Sequence, residues 1–267
     1  MSLTLAKGPL ATSGPMTTNY EISGPAHRLL LDEFPRRVRA TFAGATVLDT
    51  TRGQLLHESN LLPVLYVPDA DVRVDLLEPT DHTTHCPFKG DASYWSIRVG
   101  DQVSENAAWA YPHPLEDAEW LAGLLAFYWG GLDAWFDEDE RVEAHLRDPF
   151  HRVDVRRSSR RVVVRVNETV VAESSRPMLL SETGLPNRYY LPPADVRTDL
   201  LRPSPTVTRC PYKGEASYWS FADGPTEVHD VAWAYHHPLD DAARVDGHRC
   251  FASGDHVTVE VDGAAVA

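Results

Sequence analysis

Alternation of apolar and polar residues, not a helical stripe, is the commonest pattern along this chain. "VRATFAG" (38–44) and "TVLDT" (46–50) alternate around a glycine and predict a half-buried hairpin. "VVVRVNETVVAES" (162–174) predicts a second hairpin that turns at Asn167-Glu168. "PVLYVP" (63–68), "ASYWSIRVG" (92–100), "NAAWAYPHP" (106–114) and "FYWGGLDAWF" (127–136) add aromatic-rich strands. Helical turns are predicted over "PDADVRVDL" (68–76), with Asp69 as its cap, and over "LEDAEWLAGLL" (115–125). With prolines at 63, 68, 79, 87, 112 and 114, the pattern predicts a mainly β, compact antiparallel domain with short helices. No long β–α alternation and no G-x-G-x-x-G run supports a dinucleotide-binding sheet.

That domain is written twice. A shift of 124 residues lays His27-Arg28 on His151-Arg152, "PDADVRVDLLEP" (68–79) on "PPADVRTDLLRP" (192–203), and "CPFKGDASYWS" (86–96) on "CPYKGEASYWS" (210–220). From His27 to Ala118 no gap is needed, and 41 of 92 pairs are identical. Two copies of this length are domains, not turns of a solenoid. The expected organisation is a flexible N-terminal tail over 1–25, a first β-rich repeat over 26–149 and a second over 150–267. "HRVDVRRSSRRVVVRV" (151–166) leaves almost no linker, so the repeats are expected to pack on each other.

Charge sharpens this picture. The formal net charge is −14, of which residues 26–149 carry −12 (10 Lys/Arg against 22 Asp/Glu) and residues 150–267 carry −2 (14 against 16). Such a balance argues against nucleic acid and anionic membranes as partners. The acid run "DEDERVE" (137–143) reads either as a solvated turn or as a surface docking onto Arg156, Arg157, Arg160 and Arg161. Three cysteines without a C-x-x-C pair form no disulfide framework, and a cytoplasmic location is expected. The N-terminal stretch has no apolar run of signal-peptide or membrane length.

"HESNLLPVLYVPDADVRVDLLEPTDHTTHCPFKGDASYWSI" (57–97) and "SETGLPNRYYLPPADVRTDLLRPSPTVTRCPYKGEASYWSF" (181–221) carry a long and specific motif set. Both resemble the bacterial and fungal "domain of unknown function 427" family, here in tandem over roughly residues 27 to 260. The resemblance implies a small β-rich domain, tent-like or small and barrel-like, of Mss4-like shape. The family has been labelled nucleotidyltransferase-like. Copy one departs from the pattern at Ser59, Asn60 and Leu62, where copy two has Thr183, Gly184 and Pro186.

Residues identical between the copies define the candidate site. Cys86 with Lys89, and Cys210 with Lys213, read as nucleophile pairs, since a nearby ammonium makes thiolate available. The reading weighed against this, and favoured, is a tight turn holding a small buried thiol. His113 and His237 are the shared general-base candidates, or else structural residues ending a strand. Glu58, Tyr66, Asp71, Arg73, Tyr94, Trp95, Trp109 and Tyr111, with Glu182, Tyr190, Asp195, Arg197, Tyr218, Trp219, Trp233 and Tyr235, are the remaining ligand-binding candidates. Tyr94 and Trp95 should point to opposite faces of a strand, and Trp109 and Tyr111 to one face. One face would form the core and the other a cleft rimmed by Lys89, Glu58 and Asp71. Trp95 and Trp109 read equally as core residues. Each copy offers one aligned cysteine, so structural zinc is not expected, and no other cofactor is indicated. Asp69-Ala-Asp71 has no D-x-D counterpart at Pro193-Ala-Asp195, and no glycine-rich phosphate loop exists, which leaves nucleotidyl transfer without support in the residues. The reading is a small polar or aromatic metabolite bound in a pocket of each repeat. The alternatives are a Cys/Lys enzyme, a nucleotidyltransferase-like activity and a protein-interaction scaffold.

Overall fold

The computed structural model describes residues 3–4, 8, 19, 23–223 and 226–266. Most of the tail expected over 1–25 lies outside the described residues. The chain divides into two compact units, Met1–Asp148 and Pro149–Ala267.

The first unit contains β1 (Leu29–Glu33), β2 (Val38–Phe42), β3 (Ala45–Thr50), β4 (Gln54–Glu58), β5 (Val64–Pro68), β6 (Leu77–Cys86), β7 (Gly90–Val99), β8 (Gln102–Ala110), β9 (Leu124–Phe127), β10 (Ala134–Asp137) and β11 (Glu140–Val142). Seven of them form an open antiparallel sheet in the order β1-β4-β5-β9-β8-β7-β6, and four form a second in the order β11-β10-β2-β3. The second unit repeats both sheets. Its strands are β12 (Val153–Arg157), β13 (Val162–Val166), β14 (Thr169–Ser174), β15 (Met178–Glu182), β16 (Arg188–Leu191), β17 (Leu201–Cys210), β18 (Gly214–Asp223), β19 (Thr226–Tyr235), β20 (Arg249–Phe251), β21 (Val257–Val261) and β22 (Ala264–Val266). They are ordered β12-β15-β16-β20-β19-β18-β17 and β14-β13-β21-β22. The chain is thus mainly β, as its alternation indicates.

Strand period explains the two cores of each unit. Along β2, Val38, Ala40 and Phe42 are buried while Arg39 and Thr41 are less so. These side chains meet Leu55, Val67, Ile97, Leu125 and Phe127 of the large sheet in the main core. Alternate positions, Leu56, Tyr66, Tyr94, Leu124 and Ala126, gather on the other face with Ala118 and Leu121. Tyr94 therefore serves one face and Trp95 the other, while Trp109 and Tyr111 share a face.

The helical turns are present as 3-10 helix, without the cap expected at Asp69. Residues 68–76 form two 3-10 turns, Asp69–Asp71 and Val74–Leu76, and Asp69 makes no capping hydrogen bond. Residues 115–125 form a 3-10 segment, Glu116–Leu121, broken at Ala118, and then enter β9. The single strand expected over 127–136 is interrupted by a turn at Trp129–Gly131, where two adjacent glycines remove strand preference. The strand expected over 106–114 ends at Ala110, before Pro112 and Pro114. Conversely, β6 was hidden in a polar, proline-containing stretch. It sits at the sheet's edge, where proline is tolerated, and the register shifts between Pro79 and Thr83.

Candidate functional site

The cysteine-containing hairpin turn joins β6 to β7. Lys89 N–H donates to Cys86 O (3.3 Å), and Gly90 at φ +101 lets the chain reverse. The Lys89 side chain runs not to the Cys86 sulfur but to Glu58 at the end of β4, donating from Nζ to Oε2. The other carboxylate oxygen, Oε1, is 2.9 Å from His27 Nε2, and the His27 ring stacks on Phe88 with centroids 3.7 Å apart. Lys89 and Glu58 are each only 7% exposed. The second repeat rebuilds the cluster. Lys213 Nζ donates to Glu182 Oε2, His151 Nε2 lies 3.0 Å from Glu182 Oε1, and the His151 ring is 4.0 Å from that of Tyr212. Burial pushes the Glu182 carboxyl up, but His151 and Lys213 together outweigh it, and the group titrates below its ordinary range. An ion pair out of water is stable only with good geometry and further hydrogen bonds, and here the histidine supplies one to the carboxylate. Mechanically it clamps the hairpin turn to the end of β4 and to the segment before β1. His27 and His151 complete the cluster. Their identity in the two copies was the available signal.

Behind the clamp lie the tyrosines. Lys89 Nζ is 5.6 Å from the centre of the Tyr111 ring. Trp109 Nε1 donates to the Tyr66 hydroxyl and Trp233 Nε1 to the Tyr190 hydroxyl, each at 3.2 Å. Burial holds the phenols of Tyr66, Tyr111, Tyr190 and Tyr235 protonated well above their ordinary range. The Tyr94 hydroxyl meets Thr84 Oγ1 at 2.9 Å, and Tyr218 meets Thr208 at 3.0 Å. Cys86 and Cys210 are half-buried beside these rings, and Cys250 is fully buried with its thiol pushed up to about 12.

Other candidates stand apart from this cluster. Asp71 accepts from Thr50 Oγ1 (2.7 Å) and pairs with Arg52, as Asp195 does with Ser174 (2.7 Å) and Arg176. The Arg52 and Arg176 guanidiniums hold those carboxyls below their usual range. Arg73 pairs with Asp75 and Arg197 with Asp199, all exposed. His113 and His237 are exposed in the turn after β8 and β19. The acid run is engaged inside its own unit. Asp137 pairs with Arg36 (2.7 Å), Glu138 accepts from Arg37 N–H (2.8 Å) and Asp139 pairs with Arg39 (3.0 Å). The arginine run is likewise met within the second unit, Arg156 by Asp154, Arg160 by Asp262 and Arg161 by Glu173.

Besides a space of about 330 Å³ beside Phe34 and Arg52, the first unit holds a cavity at the margin of its main core with a volume near 350 Å³. Trp95, Leu77, Leu125 and Val74 line it, Tyr111 and Pro112 contribute, and Asp69 is its only charged residue. Trp95 and Tyr111 are therefore the predicted ligand residues that the structure brings to an open space. Tyr111 also contacts the buried ammonium, so clamp and cavity share a wall. Among the described residues, no group of three or more His, Cys, Asp or Glu side chains is placed to hold a metal ion. Nor is any helix there long and apolar enough to cross a membrane.

No curated protein matches the chain. The model of the family described as a domain of unknown function (DUF427) matches it twice, over residues 30–138 and 154–267. The two matches take in most strands of both sheets in each unit, β11 lying just past the first match, and the chain belongs to that family as a tandem pair.

Proposed function

We propose that this is a small-molecule-binding protein whose first repeat takes a flat, mainly apolar ligand carrying a positive group. The observation that carries the reading is the cavity of about 350 Å³ walled by Trp95 and Leu125, with Asp69 as the acidic residue of its lining. Its size falls at the lower end of ligand pockets, roughly 300–1,000 Å³, which suits a ring of metabolite size. An indole wall gives stacking area, and a single carboxylate gives orientation. The buried Lys89–Glu58–His27 cluster supports the site from behind by fixing the hairpin beside Tyr111. A cytoplasmic setting is part of the proposal, in keeping with three free thiols.

A titration with phenethylamine, read at the isotope-labelled indole N–H of Trp95, tests this. Saturable movement of that signal is expected. Asp69→Asn should weaken it by about twofold to fivefold, the scale of one exposed charge contact. Leu125→Arg, which imports the second repeat's residue, should abolish it. A Trp95 signal indifferent to aromatic amines and to neutral rings alike would sink the reading.

A further inference from the structure

The same corner of the second repeat has been rebuilt with the opposite charge. Strand register makes the comparison direct, because Val67 pairs with Leu125 in one unit and Leu191 with Arg249 in the other. Where the first repeat has Leu125, Pro112 and Leu124, the second has Arg249, His236 and His248. Where the first has Asp69, the second has Pro193, so the one carboxylate of the corner is gone. The wall remains, since Trp219 stands where Trp95 does.

Arg249 is held in an unusual state. Its guanidinium carbon lies 4.5 Å from the centre of the Trp219 ring, and its buried Nε has no hydrogen-bond partner among the described residues. Among the described residues no carboxylate offsets the loss of water around it, and burial pulls its pKa down. His236 approaches the same indole edge-on at 5.8 Å. The nearest acidic side chain in sequence, Asp246, is used by the backbone N–H of His237 (3.3 Å). A half-buried guanidinium without an anionic partner among the described residues is poised to take one from outside, and its fork matches carboxylate and phosphate oxygens. The indole under it fixes its plane in advance.

We infer that Arg249, on its Trp219 platform, is an oxyanion-binding site for a small molecule bearing a carboxylate or phosphate. It rests on the reading of this corner as a ligand site, yet it concerns a different repeat and the opposite ligand charge. The two repeats then hold complementary sites, one for a cationic ring and one for an anion.

The test uses the full chain with labelled indole N–H groups, Trp219 being assigned through Trp219→Phe. Benzoate, phenyl phosphate and the neutral isostere benzamide are titrated in turn. Benzoate or phenyl phosphate should move the Trp219 signal saturably, the stronger of the two identifying the anion, while benzamide should not. Arg249→Leu, which installs the first repeat's own residue, should weaken binding by about tenfold or more, the scale of a lost charge-assisted contact. Arg249→Gln, which keeps polarity without charge, should behave like Arg249→Leu. The inference is overturned if neither anion moves the Trp219 signal at millimolar concentration. It is equally overturned if benzamide binds as well as benzoate, or if both Arg249 variants keep wild-type affinity. Trp95 reports the first repeat separately in the same spectra, so a failure there is distinguishable from a failure here.

Discussion

Lys213 and Glu182 show what a residue's identity reveals and what it conceals. Identity between the repeats drew attention to the lysine, the glutamate and the cysteine. Proximity along the chain then joined lysine to cysteine, three residues apart, whereas its partner is 31 residues away on another strand. Contacts of that kind depend on which strand ends meet, and no local pattern encodes them. Lys213→Met should cost about 3 kcal/mol in urea unfolding, since it strands a buried carboxylate that keeps only His151. The pH dependence has a definite sign. Glu182 titrates lower when folded than unfolded, so its contribution is complete above the unfolded value of about 4.3 and fades as pH falls through the lower folded value. Lys213→Met should flatten this acid limb. An unchanged acid limb in the variant would show that Lys213 does not stabilise the carboxylate.

At the scale of elements, strands were legible wherever one face was apolar and the other polar, as in β2 and β7. Two kinds of element escaped. The edge strands β6 and β17 bury almost nothing on either face and contain proline, so they carry no strand signature. The 3-10 segments look helical because their polar residues resemble caps, yet three to six residues are too few for an α-helix. The bulges were also invisible. In β7–β8 and β18–β19 the register slips next to Trp95 and Trp219, and Asn106 and Asp230 take positive φ with their N–H groups on Ser96 and Ser220. The glycine turns, by contrast, were readable. A Cβ on Gly90 would sit 3.3 Å from His113 O, while at Gly214 the nearest atom is 3.6 Å away. Both positions have φ near +100, so alanine is strained at each. Thermal unfolding of Gly90→Ala and Gly214→Ala should therefore show losses of about 1–3 kcal/mol in both, larger at Gly90. Equal losses would mean that φ strain alone governs and that the close approach to His113 is relieved.

At the scale of the molecule, duplication was the strongest statement the sequence made, and the fold carries it down to sheet order and hydrogen bonds. Drift after duplication runs along the whole repeat, and at one corner it changes the chemistry, where Leu125 aligns with Arg249. The repeats thus share a scaffold and differ in chemistry. Every core cluster draws its residues from one unit only. Those of the first span Leu29 to Leu146, and those of the second span Val153 to Val266. A domain with its own core folds on its own merits. Residues 149–267, expressed alone, should therefore unfold in a single cooperative urea transition, with a slope of about 1–3 kcal/mol per molar, the range of small domains. Residues 1–148 should do the same. The indole responses should divide with the halves, that of Trp95 to amines staying with the first and that of Trp219 to anions with the second. If the isolated second half is unfolded, its core depends on the first repeat, and the two sites cannot have diverged as independent modules.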